Sequence, residues 1–211
     1  MLRPLRAGPE EVRTVTQTLH IQLLGEFHMQ QRGEAISLSP LEQTLLAFLL
    51  LHRDAPQSRQ QIAALFWPDV TDAHARSQLR KLYYRMRQNL PQSNRYLEAE
   101  TQTLQWRPEG PFTLDVAEFD RLLDQVDRKL DDRERRPDPW PRAQICQLLE
   151  QAIALYGGDL LPDCYEDWIA PERLRLSQRF VHAQEQLIAL WEQERAYEQA
   201  IEAAERLLRY D

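Results

Sequence analysis

One segment of the chain gathers the side-chain types that bind nucleic acids. Between Ala73 and Leu90, seven side chains with hydrogen-bond donors recur at helical spacing: Arg76, Ser77, Arg80, Lys81, Tyr84, Arg85 and Gln88. On a helix that advances about 100° per residue, the opposite face collects Leu79, Leu82, Tyr83, Met86 and Leu90. Arginine and lysine can neutralise phosphates or pair with guanine edges, and hydroxyl and amide groups add neutral hydrogen bonds. The pattern predicts a helix that packs on a core with one face and contacts DNA with the other, Arg76 and Arg87 lying nearest the core edge.

A polar helix face with several arginines can also be simply solvated, so the neighbouring elements decide between the two interpretations. Ser39-Pro40-Leu41-Glu42 combines an N-cap Ser, a Pro at the first helical position and a Glu three residues after the cap, which predicts a buried helix to Leu51. Ser58-Arg59-Gln60-Gln61 predicts a second, short helix that ends at Trp67-Pro68. A short capped helix directly before the basic helix is the order of a helix-turn-helix, which favours the DNA interpretation.

Strands are predicted on both sides of these helices. Apolar residues alternate over residues 19–38 around Gly25 and Gly33, which indicates a small antiparallel sheet. Residues 96–106 alternate around the polar tip Glu100-Thr101-Gln102, which indicates a hairpin. A sheet, three helices and a hairpin in this order predict an α+β winged helix-turn-helix domain over residues 17–108, after a flexible leader at residues 1–16.

The chain beyond Pro108-Glu109-Gly110-Pro111 is predicted to be an all-α domain over residues 109–211. Helices are expected from Asp115, over Arg142–Tyr156, over Pro171–Glu194 and over Ala196–Tyr210, with a charged loop over Asp131–Pro141. Four residues have the spacing of a tetratricopeptide (TPR) unit of about 34 residues: Leu187, Trp191, Ala200 and Ala204. We therefore expect a TPR-like helical repeat that continues beyond Asp211.

Charge divides the chain at the same boundary. The whole chain of 211 residues has a net charge of −7, which alone would argue against binding to DNA. Residues 17–108 hold 10 basic and 8 acidic residues, whereas residues 109–211 hold 13 basic and 23 acidic residues. The first half is thus suited to DNA, and the acidic second half to protein partners.

Other classes of protein are disfavoured by motifs that the sequence lacks. The longest purely apolar run, residues 45–51, is far shorter than the roughly 20 residues that span a membrane, so a cytoplasmic protein is expected. Cys146 and Cys164 have no metal-ligand spacing and are expected to be core thiols. No Gly-rich phosphate loop and no paired His motif occurs, so neither a cofactor nor a metal is expected.

A catalytic role would have to rest on one group of carboxylates, Asp163, Glu166 and Asp167. Such a group could serve acid–base catalysis, but acidic residues also favour the first turns of helices, where the helix dipole stabilises them. We predict the structural role and no enzyme activity. Four tryptophans that could stack on bases, Trp67, Trp106, Trp168 and Trp191, are predicted to pack in the core.

Taken in order along residues 19–211, several motifs resemble those of the SARP-type bacterial transcriptional activators. They are Leu65-Phe66-Trp67-Pro68-Asp69, Ala75-Arg76 with Leu79-Arg80, Asp115-Val116 with Phe119, Tyr156-Gly157-Gly158-Asp159-Leu160-Leu161-Pro162, and Trp168 with Glu172-Arg173. The resemblance implies an OmpR-type winged helix followed by the bacterial transcriptional activator domain (BTAD).

The same resemblance implies a function and partners. Such activators bind direct repeats in double-stranded promoter DNA, commonly as side-by-side pairs, and recruit RNA polymerase. Self-association on DNA is therefore expected as well. The alternative is a TPR-type scaffold that assembles proteins and whose first domain does not read DNA, and such a scaffold would lack salt-sensitive duplex binding.

Overall fold

The computed structural model describes residues 18–135 and 141–210, so the predicted leader and Trp140 lie outside the described residues. Alternation of apolar residues forms the first sheet from β1 (Leu19–Gln22), β2 (His28–Gln31) and β3 (Glu34–Ala35). The strands pair antiparallel, with Ile21 opposite Met29, and both of these side chains are buried. Gly33 adopts φ +80 in the tight turn between β2 and β3, a conformation that glycine takes without strain.

The first two helices begin where the capping residues predict. Helix α1 (Pro40–Leu51) has Pro40 at its first turn, and the Glu42 carboxylate accepts a hydrogen bond from the Ser39 amide at 2.8 Å. Residues 45–50 are all buried, so α1 is the central helix of the first half. The strand β4 (Gln57–Ser58) leads into α2 (Arg59–Phe66), where the Ser58 hydroxyl accepts from the Gln61 amide.

The basic segment forms α3 (Asp72–Asn89), one residue away from the predicted bounds at each end. The predicted hairpin follows as β5 (Leu97–Ala99) and β6 (Thr103–Trp106), with β4 pairing to the outer side of β6. Its base is aromatic, because Tyr96 and Trp106 stack with their centroids 5.4 Å apart. The predicted order of sheet, three helices and hairpin is confirmed.

The prediction that residues 109–211 are purely helical is wrong at its start. Strand β7 (Phe112–Leu114) lies beyond the predicted boundary and pairs in parallel with β1, which gives the first sheet the order β3-β2-β1-β7. Pairing with β7 satisfies the edge of β1 that β2 leaves open and buries Leu114. Further along, Leu160 forms an isolated bridge with Leu24.

Four long helices make up the remainder: α4 (Asp115–Arg135), α5 (Arg142–Leu155), α6 (Ala170–Gln193) and α7 (Tyr197–Tyr210), with a short 3₁₀ helix (Asp167–Ile169) before α6. The loop predicted over residues 131–141 is wrong for residues 131–135, which continue α4 because no Pro or Gly interrupts them before Pro137. Of the four residues with TPR spacing, Ala204 is only half-buried and its neighbour Ala203 packs fully in the core.

The two halves of the chain are joined by buried polar contacts. The Asp115 carboxylate at the start of α4 accepts hydrogen bonds from the backbone amides of Leu23 and Leu24, both at 2.8 Å. The Leu161 amide donates to the Leu23 carbonyl and the Gly25 amide donates to the Asp159 carbonyl, both at 2.9 Å. The two halves therefore share a packed interface. Their division at residue 108 stays a prediction about which residues carry which function.

No helix within residues 18–135 or 141–210 is both long and apolar enough to cross a membrane.

Candidate nucleic-acid interface

Helix α3 has one buried face and one exposed face, as its sequence predicts. Leu79, Leu82 and Met86 are at most 1% exposed, which fixes the rotation of the helix about its axis. Of the seven predicted contact residues, Ser77 is half-buried and six are exposed: Arg76, Arg80, Lys81, Tyr84, Arg85 and Gln88. Tyr84 projects furthest among the apolar side chains of α3, with 64% of its surface exposed. The structure thus brings the predicted contact residues onto one surface, which we call the α3 face.

The C-terminal end of α3 is fixed to the start of α1. The Asn89 amide group donates to both oxygens of the Glu42 carboxylate, at 3.2 and 3.3 Å. Glu42 is 3% exposed and also caps α1 through the Ser39 amide, so one buried carboxylate joins two helices. This contact limits sliding of α3 along its own axis and so holds the α3 face in register with the rest of the domain.

The cations on the exposed side of α3 lack acidic partners among the described residues. Within the described residues, none of Arg76, Arg80, Lys81, Arg85 or Arg87 lies within ion-pair distance of a carboxylate. The second half is arranged differently: Arg175 of α6 bonds to Asp120 and Glu172 at 2.8 and 2.6 Å, and Arg179 bonds to Asp120 at 2.6 Å. Two arginines of the second half are therefore neutralised within the chain, whereas the cations of α3 are left available.

An open groove of about 730 Å³ separates α3 from the turn of the β5–β6 hairpin. Four guanidinium-bearing residues line it: Arg59, Arg76, Arg80 and Arg87. Glu100 at the hairpin turn is the one carboxylate-bearing residue in this lining. A groove with this excess of guanidinium groups suits an anionic chain such as a phosphodiester backbone, because arginine binds phosphate through two parallel hydrogen bonds.

Arg59 connects the hairpin to α3. Its Nε donates to the carbonyls of Glu100 and Thr103, at 2.9 and 3.3 Å, and its guanidinium carbon lies 5.6 Å from the Tyr83 ring centroid. Burial, reinforced by the charge of Arg80, lowers the pKa of Arg59 against the opposing effect of Tyr83. Since an arginine pKa stays far above neutral, Arg59 carries its charge in this position.

Sequence reasoning missed Arg59 as a site residue. Its position in the first turn of α2 was predicted, but its contact with the hairpin depends on the pairing of Ser58 with Thr103. Two-residue strands such as β4 leave almost no periodic signal in a sequence, so this neighbourhood could not be predicted from the sequence.

Arg59→Met should loosen the hairpin turn. The substitution keeps the aliphatic part of the side chain and the backbone pairing of β4, but removes the donor to two carbonyls, so about 1–2 kcal/mol of local stability is lost. Amide hydrogen exchange would measure this as faster exchange at Glu100, whose amide bonds to the Thr103 carbonyl at 3.1 Å. Arg85→Met is the matched control and should leave that rate unchanged; equal rates in both variants would contradict the role of Arg59.

The other candidate residues from the sequence lie outside α3. Asp163, Glu166 and Asp167 lie around the 3₁₀ helix before α6, and the described residues contain no group of three or more His, Cys, Asp or Glu that could hold a metal ion. Cys146 and Cys164 are buried free thiols, as predicted, and burial raises the pKa of Cys146. Trp106 and Trp191 are buried, and Trp67 and Trp168 pack half-buried against the core.

Comparison with known proteins agrees with this architecture. Residues 114–211 match the family model described as the bacterial transcriptional activator domain. Among solved structures, the chain is similar to Mycobacterium tuberculosis EmbR in complex with a low affinity phosphopeptide, with a TM-score of 0.66 and 17% sequence identity. That alignment covers 90% of this chain and 59% of the EmbR chain, so this chain spans about three fifths of the length of that protein.

Among curated proteins, none matches the sequence. At 17% identity, the likeness to EmbR establishes a shared fold and no more. The family match assigns residues 114–211 to this domain. These residues include the motifs that begin at Asp115, Tyr156 and Trp168 and resemble the family. These matches support a SARP-type bacterial transcriptional activator, because residues 114–211 form a bacterial transcriptional activator domain and the chain shares the fold of EmbR.

Proposed function

We propose that this protein is a sequence-specific DNA-binding regulator of transcription that activates promoters. In this proposal, residues 17–108 form the winged-helix DNA-binding domain and residues 109–211 form a TPR-like bacterial transcriptional activator domain. The observation that carries it is the α3 face, where four cations without carboxylate partners within the described residues stand on a helix whose other face is buried. On a merely solvated helix, a cation can pair with a carboxylate three or four residues away, as Arg121 does with Glu118 on α4.

In this proposal, α3 enters the major groove. A major groove about 12 Å wide admits one helix, and the exposed residues cover the solvent side of α3 over more than three turns. Arg76, Arg80, Lys81 and Arg85 would contact phosphates or guanine edges. Ser77, Tyr84 and Gln88 would add neutral hydrogen bonds to base edges or phosphates.

The groove beside α3 would hold the DNA backbone. A strand leaving the major groove would pass between α3 and the β5–β6 hairpin, where Arg59 and Arg87 add to the charge of α3. The turn Glu100–Gln102 would then lie next to the adjacent minor groove, as the wing of a winged helix does.

The second half supports a role in binding proteins. Its 13 basic and 23 acidic residues would repel DNA phosphates, and its stacked helices offer grooves to other chains. RNA polymerase is the partner we propose for it, with self-association of side-by-side copies on repeated promoter sites.

The test is binding of the chain to a library of promoter fragments from its own genome over a salt series. We expect selection of a repeated motif, with log Kd rising steeply with log salt concentration because bound phosphates release counterions. Lys81→Ala and Arg85→Ala should each weaken binding about 5–50-fold and lower the salt slope by about one.

Arg128→Ala is the matched control, since Arg128 is an exposed arginine on α4, far along the chain from α3. It should leave both affinity and salt slope unchanged. If no duplex is retained even at low salt, the first half does not read DNA, and the scaffold function becomes the better account.

A further inference from the structure

A groove in the second half of the chain lies outside the surface proposed to bind DNA. It opens between α5, α6 and α7 and has a volume of about 650 Å³. Its floor is aromatic, because the rings of Tyr156 and Phe180 stack with their centroids 4.3 Å apart and Trp191 lies along the same groove. Proteins bind small molecules in sites of about 300–1,000 Å³ whose lining is mostly apolar and aromatic. The groove has both properties.

Gln184 places a polar group without a partner in this floor. Its side chain lines the groove and is 2% exposed, and among the described residues its amide oxygen has no hydrogen-bond partner. Buried amide groups are nearly always hydrogen-bonded, so this oxygen calls for a partner that the described residues do not supply, either water or a bound molecule. The oxygen is covered in the free chain, so the side chain has to turn toward the groove for a ligand's donor to reach it.

The rim of the groove carries two opposite charges. Glu150 stands on α5 and Arg206 on α7, and both are exposed. Neither forms an ion pair with any residue in the described part of the chain. The Arg206 guanidinium is therefore available for an acidic group of a bound molecule, since a guanidinium pairs with a carboxylate, sulfonate or phosphate through two hydrogen bonds.

We propose that this groove binds a small amphipathic anion. The molecule would have a ring system that packs on Tyr156, Phe180 and Trp191, a donor for the Gln184 oxygen and an acidic group for Arg206. This site does not depend on the proposed DNA-binding function, and it gives the second half a receptor for a small molecule.

Two dyes of matched shape test the site. 8-Anilinonaphthalene-1-sulfonate has fused rings, an N–H donor and an anionic group, and N-phenyl-1-naphthylamine has the same rings and donor without the charge. Fluorescence titration of the folded chain should give one saturable site per chain for each dye. Arg206→Gln should weaken the sulfonate about 5–10-fold and leave the uncharged dye unchanged, whereas Gln184→Met should weaken both about 5–10-fold.

Arg128→Gln is the control for a change of charge away from the groove and should alter neither dye. Each variant is first shown to unfold at the wild-type midpoint, because exposed core surface in a loosened chain also binds these dyes. The proposal is overturned if neither Arg206→Gln nor Gln184→Met changes the affinity for either dye, or if binding does not saturate at one site per chain. Formation of a dimer that excludes the dyes also overturns it and assigns the groove to a second copy of the chain.

Discussion

Asp115→Ala should lower the free energy of unfolding by about 3–5 kcal/mol. The Asp115 carboxylate accepts hydrogen bonds from the amides of Leu23, Leu24 and Val116, each at 2.8 Å, and the side chain is buried. Alanine would leave three buried donors without acceptors, each costing roughly 1–3 kcal/mol, with some recovery through relaxation and water. Urea unfolding followed by circular dichroism measures the difference.

Asp115→Asn is the matched control for Asp115→Ala. Its single amide oxygen can still accept from Leu23 and Leu24, so we expect a smaller loss, about 1–2 kcal/mol. A loss as small for Ala as for Asn would show that this carboxylate does not join the two halves.

The same carboxylate predicts a dependence on pH. Burial raises the pKa of Asp115 above 3.8, although the backbone hydrogen bonds oppose the shift. The folded protein therefore binds this proton more tightly than the unfolded chain, and the stabilisation from protonation is lost as pH rises through the raised pKa. The stability gap between wild type and Asp115→Asn should thus widen as pH falls toward 3.8.

Replacing Arg80, Lys81 and Arg85 together by alanine should weaken duplex binding at least 100-fold near 0.15 M salt. Three phosphate or base contacts would be lost, and the salt slope should fall by about three. Stability should change little, because these side chains are exposed and form no ion pair with any described residue. Fluorescence anisotropy with a selected duplex measures the affinity.

The control for the triple variant replaces Arg128, Arg142 and Arg206 by alanine. It removes the same amount of positive charge, but from the second half of the chain. If net charge alone determined the affinity, both triple variants would bind equally weakly. We expect the control to bind within about threefold of wild type, since distant surface charges are screened over about 8–10 Å.

Strong periodicity made α3 predictable. Its apolar residues recur from Leu79 to Leu90, over about three turns, and the tertiary structure uses that same face. The bounds therefore agree with the sequence to within one residue, and six of the seven predicted contact residues are exposed. The capped starts of α1 and α2 were predictable for a similar reason, because Ser39 and Ser58 act within a few residues of themselves.

Short non-local pairings were not predictable. Strand β7 has three residues and exists because β1, more than 90 positions earlier, offers it an edge. The hairpin contact of Arg59 has the same origin, through β4. In α7, Ala203 is buried in the core where the sequence predicted Ala204. The packing of α7 on α6 determines which face of α7 is buried, and no local sequence pattern specifies that packing.

Methylation interference tests the central claim, that α3 reads the major groove, most directly. A duplex selected from the promoter library is methylated at guanine N7, a major-groove atom, and bound and free fractions are compared. We predict that methylation of guanines within each repeat depletes the bound fraction, and that Arg85→Ala narrows the set of affected guanines. A bound fraction that carries methyl groups at every guanine as often as the free fraction would contradict entry of α3 into the major groove.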